Sequence, residues 1–131
     1  MMKQDVLEPG ITYHIFNRGN NGENIFKEET NYNYFLHLIK VHLNPVCDIY
    51  AYCLLKNHFH ILLKIKDANE LSIIHQQKPY LPFSNMFNAY TKAINKRYIR
   101  SGSLFQEHLK RKRVKDEKYL IQLIAYIHLN P

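Results

Sequence analysis

The chain has 131 residues, 46% hydrophobic and 22% charged, which fits one globular domain and excludes both a second domain and a disordered chain. It has no run of about 18 apolar residues to span a membrane, no apolar signal core behind Met1-Met2-Lys3-Gln4-Asp5, and only two cysteines, Cys47 and Cys53, too few for a disulfide framework, so a cytoplasmic location is the expectation. The distinguishing figure is a net charge of +7 from 18 Lys and Arg against 11 acids, beside ten Tyr, seven Phe and eight His, a composition that points to nucleic acid.

In chain order, Ile11–Asn17 is β-prone and runs into the turn-rich Arg18-Gly19-Asn20-Asn21-Gly22. Residues Glu29–Asn44 predict a helix, with Tyr32, Phe35, Leu36, Ile39 and Leu43 at three- and four-residue spacing and Asn44-Pro45 as the stop. Cys47–Leu55 and His58–Lys66 predict a hairpin turned at Lys56-Asn57. A short helix over Asn69–Gln77 and a linker at Lys78-Pro79-Tyr80-Leu81-Pro82 precede a long helix over Phe83–Arg100. Leu104–Lys115 reads as extended. Asp116 caps a last helix, Glu117–Leu129, that stops at Asn130-Pro131. The first six main elements match an α+β, ferredoxin-like (split βαβ) antiparallel sheet with helices on one face. That superfold hosts many functions and supplies no chemistry by itself.

The charge is not spread evenly. Residues 1–91 hold eight bases and eight acids, whereas residues 92–131 hold ten bases and three acids. All of the surplus therefore lies between Lys92 and Lys118, in a block containing Lys96, Arg97, Arg100, Lys110, Arg111, Lys112, Arg113 and Lys115. A concentrated basic block suits a phosphate backbone, because each neutralised phosphate releases counterions. The competing explanation is a solvated helix face plus a basic turn.

The most specific local feature is Asn57-His58-Phe59-His60-Ile61-Leu62-Leu63. Side chains alternate along a strand, so His58 and His60 point the same way with Cα atoms roughly 6.6–7 Å apart. Two imidazoles at that spacing can converge on one divalent ion, while Phe59, Ile61, Leu63 and Ile65 face the core. Two histidines on a half-exposed strand face are the bland alternative. A zinc site built on Cys47 and Cys53 is excluded by a separation of roughly 20 Å along one strand, leaving them as packing residues. The other histidines, His14 included, lack comparable spacing and read as structural or surface residues.

The last helix has no charge after Lys118, which predicts that most of its surface is buried. Tyr126 and Asn130, four apart, share a face and need polar partners. One arrangement lays that face against His58 and His60, making the Tyr126 hydroxyl a nucleophile beside a metal and the Asn130 amide a third ligand. A phenol ionises near pH ~10, so such a nucleophile needs a cation close by. The alternative is a core tyrosine with a satisfied hydroxyl.

Four segments, Tyr13-His14-Ile15-Phe16-Asn17-Arg18-Gly19-Asn20, Tyr52-Cys53-Leu54-Leu55-Lys56-Asn57-His58-Phe59-His60-Ile61-Leu62, Gly102-Ser103-Leu104-Phe105-Gln106 and Tyr126-Ile127-His128-Leu129-Asn130-Pro131, together resemble the HUH single-tyrosine transposases. The branch most resembled is that of the REP-associated tyrosine transposases and their insertion-sequence relatives, over nearly the whole chain. The resemblance implies a single catalytic domain over 1–131, with His58, His60 and Asn130 as metal ligands and Tyr126 as nucleophile on the C-terminal helix. Tyr119 is the decoy. Arg18 and the basic block would contact DNA.

The implied activity is metal-assisted transesterification of single-stranded DNA with Mg²⁺ or Mn²⁺. Tyr126 attacks phosphorus, leaving a 5′-phosphotyrosine link and a free 3′-OH. The implied partner is single-stranded or hairpin DNA, with the protein acting as a monomer or a homodimer and without a membrane. The alternatives are a non-catalytic nucleic-acid-binding module, a structural metal-binding protein, and an inactive truncated copy, since many relatives continue past Asn-Pro whereas this sequence stops at Pro131.

Overall fold

The computed structural model describes residues 5–129. Strand β1 (Thr12–Arg18) is followed by α1 (Glu29–Leu38), the hairpin β2 (Cys47–Leu55) and β3 (His58–Ile65), the short α2 (Ile73–Gln77), the long α3 (Leu81–Arg97), β4 (Lys110–Arg113) and α4 (Glu117–Leu129). The sheet order is β2-β3-β1-β4 with every pairing antiparallel. This is the α+β, split βαβ sheet that the element order predicts. α1 and α3 cover one face, and α4 lies against β2 on the other.

Alternation in β3 divides the core. Phe59, Ile61, Leu63 and Ile65 face α1 and α3, where Phe59 lies 5.3 Å from both the Phe35 and the Phe87 rings. Aromatic contacts continue through Phe35–Tyr90 (5.1 Å) and Phe87–Phe105 (5.4 Å), and the buried Tyr90 hydroxyl donates to the Ile25 carbonyl at 2.6 Å. The opposite face carries His58, His60 and Leu62. Leu62 joins a smaller cluster with Ala51, Cys53 and Leu123 of α4.

A bulge between Ile49 and Ala51 explains how β2 serves both clusters. Cys47 and Ile49 pack on the α1/α3 side, whereas Ala51 and Cys53 pack under α4. The extra residue shifts the alternation by one, as a bulge must. Both thiols are buried and neither forms a disulfide, and burial pushes the Cys47 thiol up to about 12, so it is an inert packing group.

Four elements differ from the sequence expectation. The first helix does not run uniformly to Asn44: a π-helical turn over Ile39–Leu43 follows α1, closed by the Asn44 N–H on the Ile39 carbonyl, and it buries both Ile39 and Leu43. α3 starts earlier, at Leu81, because Pro82 fits a helix's first turn, where no N–H is needed. It also ends earlier, at Arg97, because Ile99 is left-handed (φ 50°). The extended segment expected over Leu104–Lys115 shrinks to Lys110–Arg113, with one isolated bridge from Phe105 to Gly19, because His108 at φ 64° breaks the path.

α4 is the fourth. It is mostly exposed rather than mostly buried: Leu123 is buried, but Ile121 is 60% and Tyr126 53% exposed. The sheet surface beneath it accommodates a single stripe, formed by Leu120, Leu123 and Ile124.

The loop after β1 holds one glycine by necessity. A Cβ on Gly19 would stand 1.9 Å from the Glu23 carbonyl oxygen. Gly19→Ala is therefore expected to cost ~1–3 kcal/mol through overpacking, read as a lower urea midpoint. An unchanged midpoint would show that the loop opens without cost.

Candidate active site

The site is assembled by the pairing of β1 with β3. Arg18 lies opposite His58 and Phe16 opposite His60. Cross-strand partners share a face, so Arg18 and the histidine pair line the same surface. α4 then brings the Tyr126 ring edge-on to His60, with centroids 6.1 Å apart. Arg18, His58, His60, Gln106, Lys110 and Tyr126 line one open cleft of about 430 Å³. A cavity of similar size, about 460 Å³, opens on the helix side among Phe83, Phe87 and Leu109, but it contains neither the histidine pair nor Tyr126.

The two imidazoles, 5.3 Å apart by centroid, each have one nitrogen engaged. His58 Nδ1 meets the Asn57 side-chain oxygen at 2.8 Å. An amide oxygen only accepts, so Nδ1 carries the proton and Nε2 keeps its lone pair. His60 Nδ1 meets His14 Nε2 at 2.9 Å. One of these two nitrogens donates, and the arrangement in which His60 donates frees its Nε2 as well.

Electrostatics favours the same neutral forms. Burial, followed by the Arg18 charge, lowers the His58 pKa; burial, then His58 and Arg18, lowers that of His60. Burial, then His60 and Lys112, holds His14 down at about 4. A neutral imidazole is the form that can donate a ring-nitrogen lone pair to a divalent ion.

His14 is the site residue that the sequence reading misses. It is buried behind His60, stacked on it at 5.1 Å and against Phe16 at 4.7 Å. The available signal was its place in β1, two residues before Phe16, on the face opposite Tyr13 and Ile15. Among the described residues, no cluster of three His, Cys, Asp or Glu side chains is placed to hold one ion. The expected third ligand, Asn130, lies outside the described residues.

The two candidate tyrosines are separated by two helical turns, about 10 Å along α4. Tyr119 lines a different depression with Asp5, Lys112 and Asp116.

The basic block is divided by the sheet rather than continuous. In β4, Lys110 pairs with Phe16 and Lys112 with His14, on the cleft face. Arg111 and Arg113 point to the helix side. There Arg111 donates to the Asp5 and Leu109 carbonyls, and Arg113 pairs with Glu8 at 2.9 Å. On α3, Arg97 pairs with Glu28 at 3.0 Å. Just past its end, Arg100 pairs with Glu23 at 2.6 Å. Several cations expected on DNA thus already brace the fold. Arg18 and Lys110 line the cleft itself, while Lys96 and Lys115 are exposed.

No helix among the described residues is long and apolar enough to cross a membrane. No curated protein matches the sequence. A solved structure of a REP-associated tyrosine transposase bound to a REP hairpin superposes with a TM-score of 0.71 at 17% identity, covering 100% of this chain and 72% of that one. This likeness establishes the fold. A family model described as "Transposase IS200 like" matches residues 8–130. Since that match spans nearly the whole sequence, the chain belongs to the IS200-like transposase family.

Proposed function

We propose that this protein cleaves and rejoins single-stranded DNA by transesterification, with Tyr126 as nucleophile and a DNA hairpin as recognition element. The observation that carries the reading is the approach of the Tyr126 ring to His60, in a cleft that also holds His58, Arg18 and Lys110. A phosphodiester entering that cleft meets two cations for its charge and one phenol for attack at phosphorus. The Tyr126 oxygen forms the new bond to phosphorus as its proton passes to solvent. The bond to the 3′-oxygen breaks, and that oxygen leaves as a hydroxyl. The 5′-phosphotyrosine preserves the phosphodiester, so reversal by another 3′-OH joins strands without an external energy source.

The two neutral histidines could serve a divalent ion, Mg²⁺ or Mn²⁺, which His58 and His60 would hold with Asn130 as third ligand. When bound, the ion supplies Lewis-acid polarisation of the phosphate. The protein's own residues orient the groups: Asn57 and His14 fix the two imidazoles, and Arg18 and Lys110 draw the strand in and offset the charge of its phosphate. The solved hairpin complex supports a folded DNA partner.

The test is incubation with an oligonucleotide carrying a hairpin and a single-stranded tail, with Mn²⁺ present. A denaturation-resistant protein–DNA adduct that chelator suppresses is the expected result. Tight binding with no adduct at any divalent ion would instead identify a non-catalytic DNA-binding module.

A further inference from the structure

Ile99 departs from ordinary protein chemistry in two independent ways. It is 95% exposed, the most exposed large apolar side chain among the described residues. It also sits at φ 50°, the left-handed region that a β-branched residue seldom enters. The position closes α3: the Tyr98 N–H bonds to the Ile94 carbonyl, and the Arg100 N–H bonds to the Asn95 carbonyl at 3.0 Å. This is a Schellman closure, and glycine is the usual occupant of its left-handed residue. Isoleucine here combines a strained backbone conformation with a branched apolar group held in water.

The surroundings make that placement rigid. Arg100 is tied to the Asn95 side chain, to Glu23 and to the Ser103 carbonyl. Strained residues persist where neighbours over-determine them, and they concentrate at functional sites. The tip is anchored to the active-site end of the sheet, since the Asn20 N–H bonds to the Leu104 carbonyl and the Gly19 N–H to the Asn57 carbonyl. Lys96, Arg97 and Arg100 stand within three residues of Ile99, inside the stretch that carries the whole charge surplus. Arg97 and Arg100 are paired with Glu28 and Glu23, so the exposed Lys96 is the cation that favours a polyanion beside Ile99.

We infer that Ile99 is an apolar wedge that rests on an exposed nucleobase face of the bound DNA, at the junction of a paired stem and its single strand, with Lys96 beside the adjoining phosphate. Apolar side chains do this in DNA-deforming proteins. Within a continuous duplex each base face is covered by its neighbours, so a junction is where a free face is available. The inference rests on the DNA-binding role proposed above.

The experiment measures stability and DNA affinity of Ile99→Gly and Ile99→Leu together. Glycine relieves the strain, so its melting temperature should rise by roughly 2–5 °C. Its affinity for a stem-and-tail oligonucleotide should fall roughly tenfold, about 1.4 kcal/mol, with affinity for a blunt, closed duplex unchanged. Leucine should retain most of the stem-and-tail affinity. Equal affinity of Ile99→Gly and wild type for the stem-and-tail probe would overturn the inference, as would a wild-type dimer that Ile99→Gly dissolves. Failure of wild type to bind any probe would overturn the DNA reading itself.

Discussion

Tyr126→Phe is expected to abolish the covalent adduct, by on the order of 10⁴-fold or more, while leaving folding and DNA affinity unchanged. The substitution removes a single oxygen. That hydroxyl makes no hydrogen bond among the described residues, and the side chain is 53% exposed. Its loss therefore orphans no buried group, and stability should move by less than ~0.5 kcal/mol. The phenyl ring still stands against His60, so the cleft keeps its shape and its cations. Under the proposed mechanism, the only function removed is nucleophilic attack. Tyr119→Phe is the matched control, because Tyr119 lies two turns away in a separate depression and should form adduct at the wild-type rate. An adduct that survives Tyr126→Phe and disappears in Tyr119→Phe would reassign the nucleophile.

The parts of this site that depend on short-range periodicity are legible in the sequence. Alternation along Asn57–Ile65 places His58 and His60 on one face and Phe59 on the other before any partner strand is known. The order of elements likewise specifies the sheet, since a split βαβ arrangement leaves few alternatives for a chain of this length.

What escapes is non-local. His14 has no histidine near it in sequence. Its contact with His60 arises from a register that spans 46 residues of separation. The bulge that sends Cys47 and Cys53 to opposite faces depends on one extra residue near Tyr50, which no turn signal marks. The lack of charge on α4 suggests burial, yet burial requires a second surface to receive the helix. The sheet offers only a narrow one beside Leu62. The pairing of the basic block is non-local as well. Net charge along the chain is additive, but Arg97, Arg100 and Arg113 meet Glu28, Glu23 and Glu8, which belong to the first 91 residues, a stretch that is neutral when counted alone.

The two histidines of the motif should respond differently to replacement, because only His60 is hydrogen-bonded to a buried neighbour, His14. His60→Ala is expected to lose divalent-ion binding and adduct formation and also to lower stability by ~1–3 kcal/mol. The stability term follows from His14. Its Nε2 is 2.9 Å from His60 Nδ1, and the residue is buried to 8% exposure. Removing one partner of a buried hydrogen bond leaves the other with its full desolvation penalty. The ring also withdraws its stacking on His14 and its edge contact with Tyr126, so α4 loses a support near its end. His58→Ala should lose the ion and the adduct to the same extent with little change in stability. Its ring is only half-buried, and its one partner, Asn57, is exposed at the hairpin turn and can hydrogen-bond to water instead. Thermal melts of the two variants without divalent ion separate these effects. Equal melting temperatures for His58→Ala and His60→Ala would mean that the His14–His60 contact contributes nothing to the fold. A third variant, His14→Phe, fills the same space without an acceptor. It should fold normally yet weaken ion binding roughly 10–100-fold, because the arrangement in which His60 donates from Nδ1 and keeps its lone pair on Nε2 then has no acceptor to hold it.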